Sequence, residues 1–378
     1  MPLQYKKLGN YIREVDVKNT DLKVSLLLGV SITKKFIPSI ANIIGTDLSK
    51  YKIVRKGQFA YVPVTSRNGD QVSIALLEDN ECIISTSYTV FEISKPEELL
   101  NEYLMLLFSN PEFDRYARYN SWGSAREIFS WDELCNTELY IPDIEEQKRI
   151  VREYQVIEKR IIALNKQNII LERLINTEYK NLFSEKEQAI ESTDILGNIT
   201  STIDNRGKTP PNTEQVTEFP LLEIAALKTD GRVISYENCE KYVSEKTYQT
   251  WFRSGHPQKY DILFSTVGSI AKFKIFLREK GCIAQNIVAF RCKKQELGLY
   301  LYEQLNEKIE EILSYEIGSV QASIKVSQII NLPIDIPKKE VLDQFNKLAV
   351  PLTKLISSNA TEIELNRKTL KMILQKLS

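Results

Sequence analysis

Across residues 150–182, apolar side chains recur at steps of four and three. They are Ile150, Tyr154, Ile157, Ile161, Leu164, Leu171, Ile175 and Leu182, with Asn168 and Glu178 at the remaining positions of the pattern. Residues 349–377 follow the same rule through Ala349, Leu352, Ile356, Ile363, Leu370, Ile373 and Leu377, with Asn359 and Asn366 on the stripe. A sustained 3.5-residue repeat is the mark of a coiled-coil seam, on which an asparagine weakens the contact but fixes register and partner. About 40 helical residues reach roughly 60 Å, too long to fold back over a small domain, so the pattern predicts two projecting helices. Ordinary bundle helices are the plainer reading of the same stripe. Pro351 is expected to kink the second helix near its start, or to restart it there.

Ahead of each helix the pattern changes. Short β-branched and aromatic runs dominate, "KIVRKGQFAYVPV", "QVSIALL" and "CIISTSYTVFEI" before the first, and "FPLLEIAAL", "YDILFST", "KFKIFL" and "CIAQNIVAF" before the second. Turn residues separate them, which predicts strand-rich, mixed α+β domains. Residues 121–142, "SWGSAREIFSWDELCNTELYIP", align without a gap on residues 316–337, "EIGSVQASIKVSQIINLPIDIP". Gly123-Ser124 falls on Gly318-Ser319, Asn136 on Asn331, and Ile141-Pro142 on Ile336-Pro337. Leu8-Gly9 answers Leu196-Gly197, and Cys82-Ile83 answers Cys282-Ile283. A repeat this long is a duplicated domain. The phrase ending in Ile-Pro reads as the last strand of each copy. After it, Asp143, Glu145 and Glu146 place acids in the first turn of the helix, where its dipole favours them; the second copy has Lys338 and Lys339 there, partly offset by Glu340.

The 378 residues allow two domains of ordinary size, and a 43% hydrophobic fraction supports real cores. No apolar run approaches a bilayer span, the N-terminus lacks the apolar core of a secretory signal, and the chain reads as cytoplasmic, with no membrane partner. Five cysteines without a C-x-x-C pair read as core thiols, and the single histidine, His256, supports no histidine-based metal or catalytic site. Basic and acidic residues balance at 50 each. That balance does not suggest a nucleic-acid binder, though a docking face can be basic while the rest compensates. Chemistry is equally muted. There is no G-x-x-x-x-G-K-[ST] phosphate loop and no G-x-G cofactor loop after a strand. The nearest approach to an adenine-methyltransferase (Asn/Asp)-Pro-Pro-(Tyr/Phe) loop is Asn110-Pro111-Glu112-Phe113, broken by its glutamate. "PDIEEQK" offers nuclease-like carboxylates, but within one helical turn rather than on neighbouring strands.

Four stretches, "GSAREIFSWDELCNTELYIPDIEEQKRIV", "LINTEYKNLF", "IDNRGKTPP" and "GSVQASIKVSQIINLPIDIP", together with the domain–helix–domain–helix order, resemble the specificity (S) subunit of type I restriction-modification enzymes. The second copy departs from the pattern: Gln344 stands seven residues after its proline, whereas Gln147 stands five after Pro142. The resemblance implies a target recognition domain at 1–142, a helix at 143–190, a second recognition domain at 191–337 and a second helix at 338–378. Each domain would read one half of a bipartite, asymmetric double-stranded DNA site. The helices would pack as an antiparallel coiled coil, set the spacer and dock two methylation (M) subunits, which restriction (R) subunits join. The S subunit itself would hold no cofactor, neither S-adenosylmethionine nor ATP, and would catalyse nothing.

DNA contacts then fall to polar groups on turns. In the first copy these are Lys34 and Lys35, Ser66, Arg67 and Asn68 on a glycine turn, and Arg126; in the second, Asn205, Arg206, Lys208 and Thr209 on a proline-bounded loop, Ser265, Thr266 and Lys272 around a glycine, and Gln321 opposite Arg126. Each of these also reads as an ordinary surface turn. A coiled-coil adaptor whose globular ends bind proteins is the alternative function.

Overall fold

The computed structural model describes residues 5–39, 45–66, 69, 71–123, 126–318 and 321–377, without the side chain of Lys186. The chain divides into two compact units. The first comprises Met1–Lys159 and Lys368–Ser378, the second Arg160–Arg367.

In the first unit, four short strands form an antiparallel sheet in the order Ile12–Val15, Thr89–Ile93, Phe59–Tyr61, Ile74–Leu76. Side chains alternate across it, as the period of two demands. Phe59, Tyr61 and Phe91 face a core shared with the helices Asn101–Phe108 and Pro111–Tyr119, while Ala60, Ala75 and Val90 face a second cluster with Val54, Cys82 and Ile84. Phe59 stacks on Phe91 at 5.0 Å and meets Phe108 edge-on at 5.9 Å. Tyr5–Lys7 pairs antiparallel with Glu138–Tyr140, closing the unit at its joint with the first long helix.

The second unit repeats this plan. Thr200–Ile203, Ile287–Cys292, Ile262–Ser265 and Phe273–Ile275 form an antiparallel sheet in the equivalent order. Ile262, Phe264, Val288 and Phe290 pack with the helix Gly298–Glu307, and Leu263, Ile287 and Ala289 pack on the opposite face. Ile190–Ile195 pairs antiparallel with Pro333–Pro337. The smaller matches hold as well. Leu8 N donates to Thr137 O and Leu196 N to Leu332 O, each at 2.9 Å. Gly9 lies against Cys135 and Gly197 against Ile330, so close that a Cβ would crowd the neighbouring backbone in both copies.

The two long helices are Ile144–Phe183 and Lys339–Gln375. Within the second unit they run antiparallel. Arg160 pairs with Glu362 at 2.6 Å, Asn359 Nδ2 donates to Asn168 Oδ1 at 2.8 Å, and Tyr179 and Phe183 pack on Phe345. Within the first unit, Ile150 and Tyr154 share a core with Leu374 and Leu377. One expectation changes. The buried stripe ends on Tyr179 and Phe183 rather than on Glu178 and Leu182. A straight helix drifts from a strict 3.5 repeat, and burying two large aromatics, each favourable by roughly 1.5–3 kcal/mol, decides which face turns inward. Of the two outcomes expected at Pro351, a restart does not occur: the second helix runs through it, and the proline faces solvent.

The joint explains the acidic phrase. Asp143 caps the first long helix by accepting from Glu146 N at 2.9 Å. Gln147, fully buried, accepts from Leu100 N at 2.9 Å and donates to Glu98 O and Pro142 O, each at 2.8 Å. In the second copy Leu342 is the buried residue five positions after the proline, and Gln344 is exposed. Asn110 caps Pro111–Tyr119 and donates to Leu374 O at 2.7 Å, so the broken methyltransferase-like phrase has a structural role.

Candidate nucleic-acid interface

In each unit the loop between the last two strands of the sheet order docks on the glycine turn that precedes the joint. In the first unit Trp122 and Ile128 exchange backbone bonds of 3.2 and 3.0 Å across that turn, and Thr65 N donates to Glu127 O at 2.9 Å and Phe129 N to Pro63 O at 2.8 Å. In the second, Ile317 and Ser323 exchange bonds of 2.8 and 2.9 Å, and Gly268 N reaches Ala322 O and Ile324 N reaches Thr266 O, each at 2.8 Å. The glycines are required. Gly123 and Gly318 hold φ of +140° and +99°, and a Cβ would collide with the carbonyl oxygens of Arg126 and Gln321 respectively.

In the second unit three further loops join this rim. Asn205 Nδ2 donates to Gly255 O at 2.9 Å, and its Oδ1 accepts from Ser254 N at 2.9 Å. Arg206 grips Asp204 through two nitrogens, at 3.0 and 2.7 Å, and reaches Thr266 Oγ1 at 3.2 Å. Hydrogen bonding to Arg206 holds the Asp204 carboxyl below its usual range. Thr266 Oγ1 donates to Asn286 O at 3.2 Å, and Gln285 Nε2 donates to Thr209 Oγ1 at 2.8 Å.

Of the groups expected to face DNA, Lys35, Ser66, Arg126, Lys208, Thr209, Lys272 and Gln321 are exposed, and Arg206 is partly so. Four are corrected. The Lys34 side chain is only 9% exposed and meets Asp114 at 2.6 Å, and desolvation lowers its pKa despite that partner. Asn205, Ser265 and Thr266 are buried and hold the loops together, Ser265 by donating to Ser269 O at 2.6 Å and accepting from Lys272 N at 2.9 Å. A buried polar group needs such partners. Arg67 and Asn68, with Ser124 and Ser319 of the matched loops, lie outside the described residues.

Pattern reading missed Arg253, Gln285 and Trp122. Arg253 is exposed and donates to Arg206 O at 2.9 Å; its signal was the Arg-Ser-Gly turn. Trp122 is 64% exposed beside the glycine turn. His256 stacks on Tyr248 at 3.6 Å, and its Nε2 lies 2.8 Å from Tyr248 O, so it braces the turn carrying Arg253 and Ser254.

Two glutamates on the long helices tie down the second unit. Glu172 binds Arg232 at 2.7 Å, and Arg232, almost wholly buried, also meets Glu303 at 3.0 Å. Glu364 accepts from Ser235 Oγ at 2.7 Å, Tyr236 N at 2.8 Å and Arg278 at 2.5 Å. Among the described residues, no cluster of histidine, cysteine and carboxylate groups is placed to hold a metal ion, and no helix is long and apolar enough to cross a membrane.

Two units of one plan, each presenting polar loops on a docked glycine turn and each joined to long helices, define a duplicated recognition module. The family model of the type I restriction modification DNA specificity domain matches residues 41–173 and 197–368, and the chain belongs to that family. It is 22% identical over 313 residues to the type I restriction enzyme MjaIX specificity subunit of Methanocaldococcus jannaschii, across 78% of this chain and 72% of that protein. Its fold is similar to the crystal structure of the type I restriction-modification system S subunit from M. genitalium. The TM-score is 0.62 at 14% identity, over 99% of this chain and 95% of that one.

Proposed function

We propose that this chain is the sequence-reading subunit of a type I restriction-modification complex, with domains 1–142 and 191–337 each reading one half of a bipartite, asymmetric site in double-stranded DNA. The helices 143–190 and 338–378 set the spacer and dock two methylation subunits, and restriction subunits join that assembly. Methylation and cleavage belong to those partners, working in the cytoplasm. The observation that supports this reading is the repeated rim. In both units a sheet loop bonds to a glycine turn, and exposed Arg126 in one and Gln321 in the other stand at the same place on it. Side chains of this kind position on phosphates and read base edges.

An electrophoretic shift of target DNA with the chain alone, with methylation subunits alone, and with both tests it. A specific complex that needs both components supports the reading; binding of partner proteins with no effect on DNA overturns it in favour of an adaptor.

A further inference from the structure

We propose that Gln285, oriented by Thr209, reads an adenine in the half-site contacted by the second unit. The inference rests on the DNA-reading function proposed above and goes beyond it by naming a reader and its base. Gln285 sits in the left-handed region, with φ of +60°. A residue with a side chain is uncommon there, and glycine would take the same backbone without strain. The conformation is fixed from outside the residue, because the next carbonyl, Asn286 O, accepts from Thr266 N at 2.8 Å and from Thr266 Oγ1 at 3.2 Å. A costly backbone that the surroundings over-determine marks a position where the side chain matters.

The side chain is only partly buried, and its Nε2 donates to Thr209 Oγ1 at 2.8 Å, a solvent-exposed contact. A primary amide offers two N–H donors and one acceptor oxygen. In this assignment the N–H trans to Oε1 is on Thr209, which leaves the cis N–H and Oε1 side by side. That pair is the complement of the adenine edge in the major groove, N7 as acceptor and N6 as donor. The surroundings suit docking: Lys208 and Arg253 are exposed on the same linked loops, and the acid among them, Asp204, is neutralised by Arg206. At the corresponding place after Cys82-Ile83, the first copy has Ser85, which bonds locally to Ser87. The reader therefore belongs to one half-site only.

The test is a methylated-base map of DNA from cells carrying the complete system with Gln285→Gly, alongside Thr209→Val. Gln285→Gly removes the amide at a backbone position that glycine favours, so loss of folding does not stand in the way; the circular dichroism melt of the purified complex checks this. The expected result is a motif that keeps both halves and its spacer but relaxes at one A·T pair of one half-site. Discrimination there falls by about 10-fold or more, and Thr209→Val gives a smaller relaxation at the same position. An unchanged motif, or relaxation at a G·C pair, overturns the assignment. A wild-type map with no bipartite motif instead sinks the DNA-reading function itself, so the two failures are distinct.

Discussion

At the residue scale, the rim separates groups that hold loops from groups that face outward. Lys208 and Lys272 are exposed, with no ion pair among the described residues. If each meets one phosphate, replacing both with alanine lowers the slope of log affinity against log salt by roughly two units, since each neutralised phosphate contributes about 0.9. A salt titration of the assembled complex measures it, and an unchanged slope returns both to plain surface. Lys274 differs. It is buried, donates to Thr229 O and Gly231 O, and desolvation pushes its pKa down to about 8 from 10.5. The unfolded chain then binds more protons than the folded one between those values, so this group makes stability rise with pH across that window. The gain is on the order of 3 kcal/mol. Comparing denaturant midpoints of wild type and Lys274→Met between pH 7.5 and 10.5 tests it, because the pH-dependent difference should vanish in the variant. The sequence exposed which polar residues lie on turns, and Lys208, Lys272 and Arg126 followed from that. It did not expose direction. Lys34 and Lys35 are neighbours, yet one turns inward to Asp114, a partner eighty positions away. Long-range pairing of that kind leaves no mark in a local pattern, nor does the positive φ that presents Gln285.

At the element scale, periodicity carried most of the information. The apolar steps along the long helices marked the buried stripe from Ile150 to Ile175 and from Ala349 to Leu377, because a helix must bury one face whatever its partner. The pattern failed where the partner changed: at Tyr179 and Phe183 the helix meets the aromatic side chains of Tyr300 and Phe345. Asn359 is nearly buried and bonds Gln167 as well as Asn168. Asn359→Ala strands those amides and should cost about 1–3 kcal/mol. The double change Asn168→Leu with Asn359→Leu should raise the melting temperature while loosening register, read by cysteine cross-linking along the seam. A double variant that still cross-links only in the wild-type register would contradict a register-fixing role.

At the scale of the whole molecule, the duplication was the legible feature, since an ungapped match over residues 121–142 and 316–337 needs no structure to see. The sheets that the two copies build have the same strand order. Helix length tests whether the long helices set the spacer. The Arg160–Glu362 pair and the Asn168–Asn359 bond align Leu164 with the stretch from Asn359 to Ile363. Seven residues inserted after Leu164, matched by seven before Ile363, add one heptad to each helix and preserve the seam. The helices lengthen by about 10 Å, close to three base-pair steps of about 3.4 Å. The unspecified spacer should grow accordingly, with both half-site sequences kept; an active complex with an unaltered spacer would exclude the helices as its ruler. The central claim meets its most direct test in the methylated bases of cellular DNA, mapped with and without this gene in the presence of its partner subunits. The account predicts one bipartite, asymmetric motif, methylated when the gene is present and unmethylated when it is absent. A methylation map that does not change when the gene is removed would contradict it.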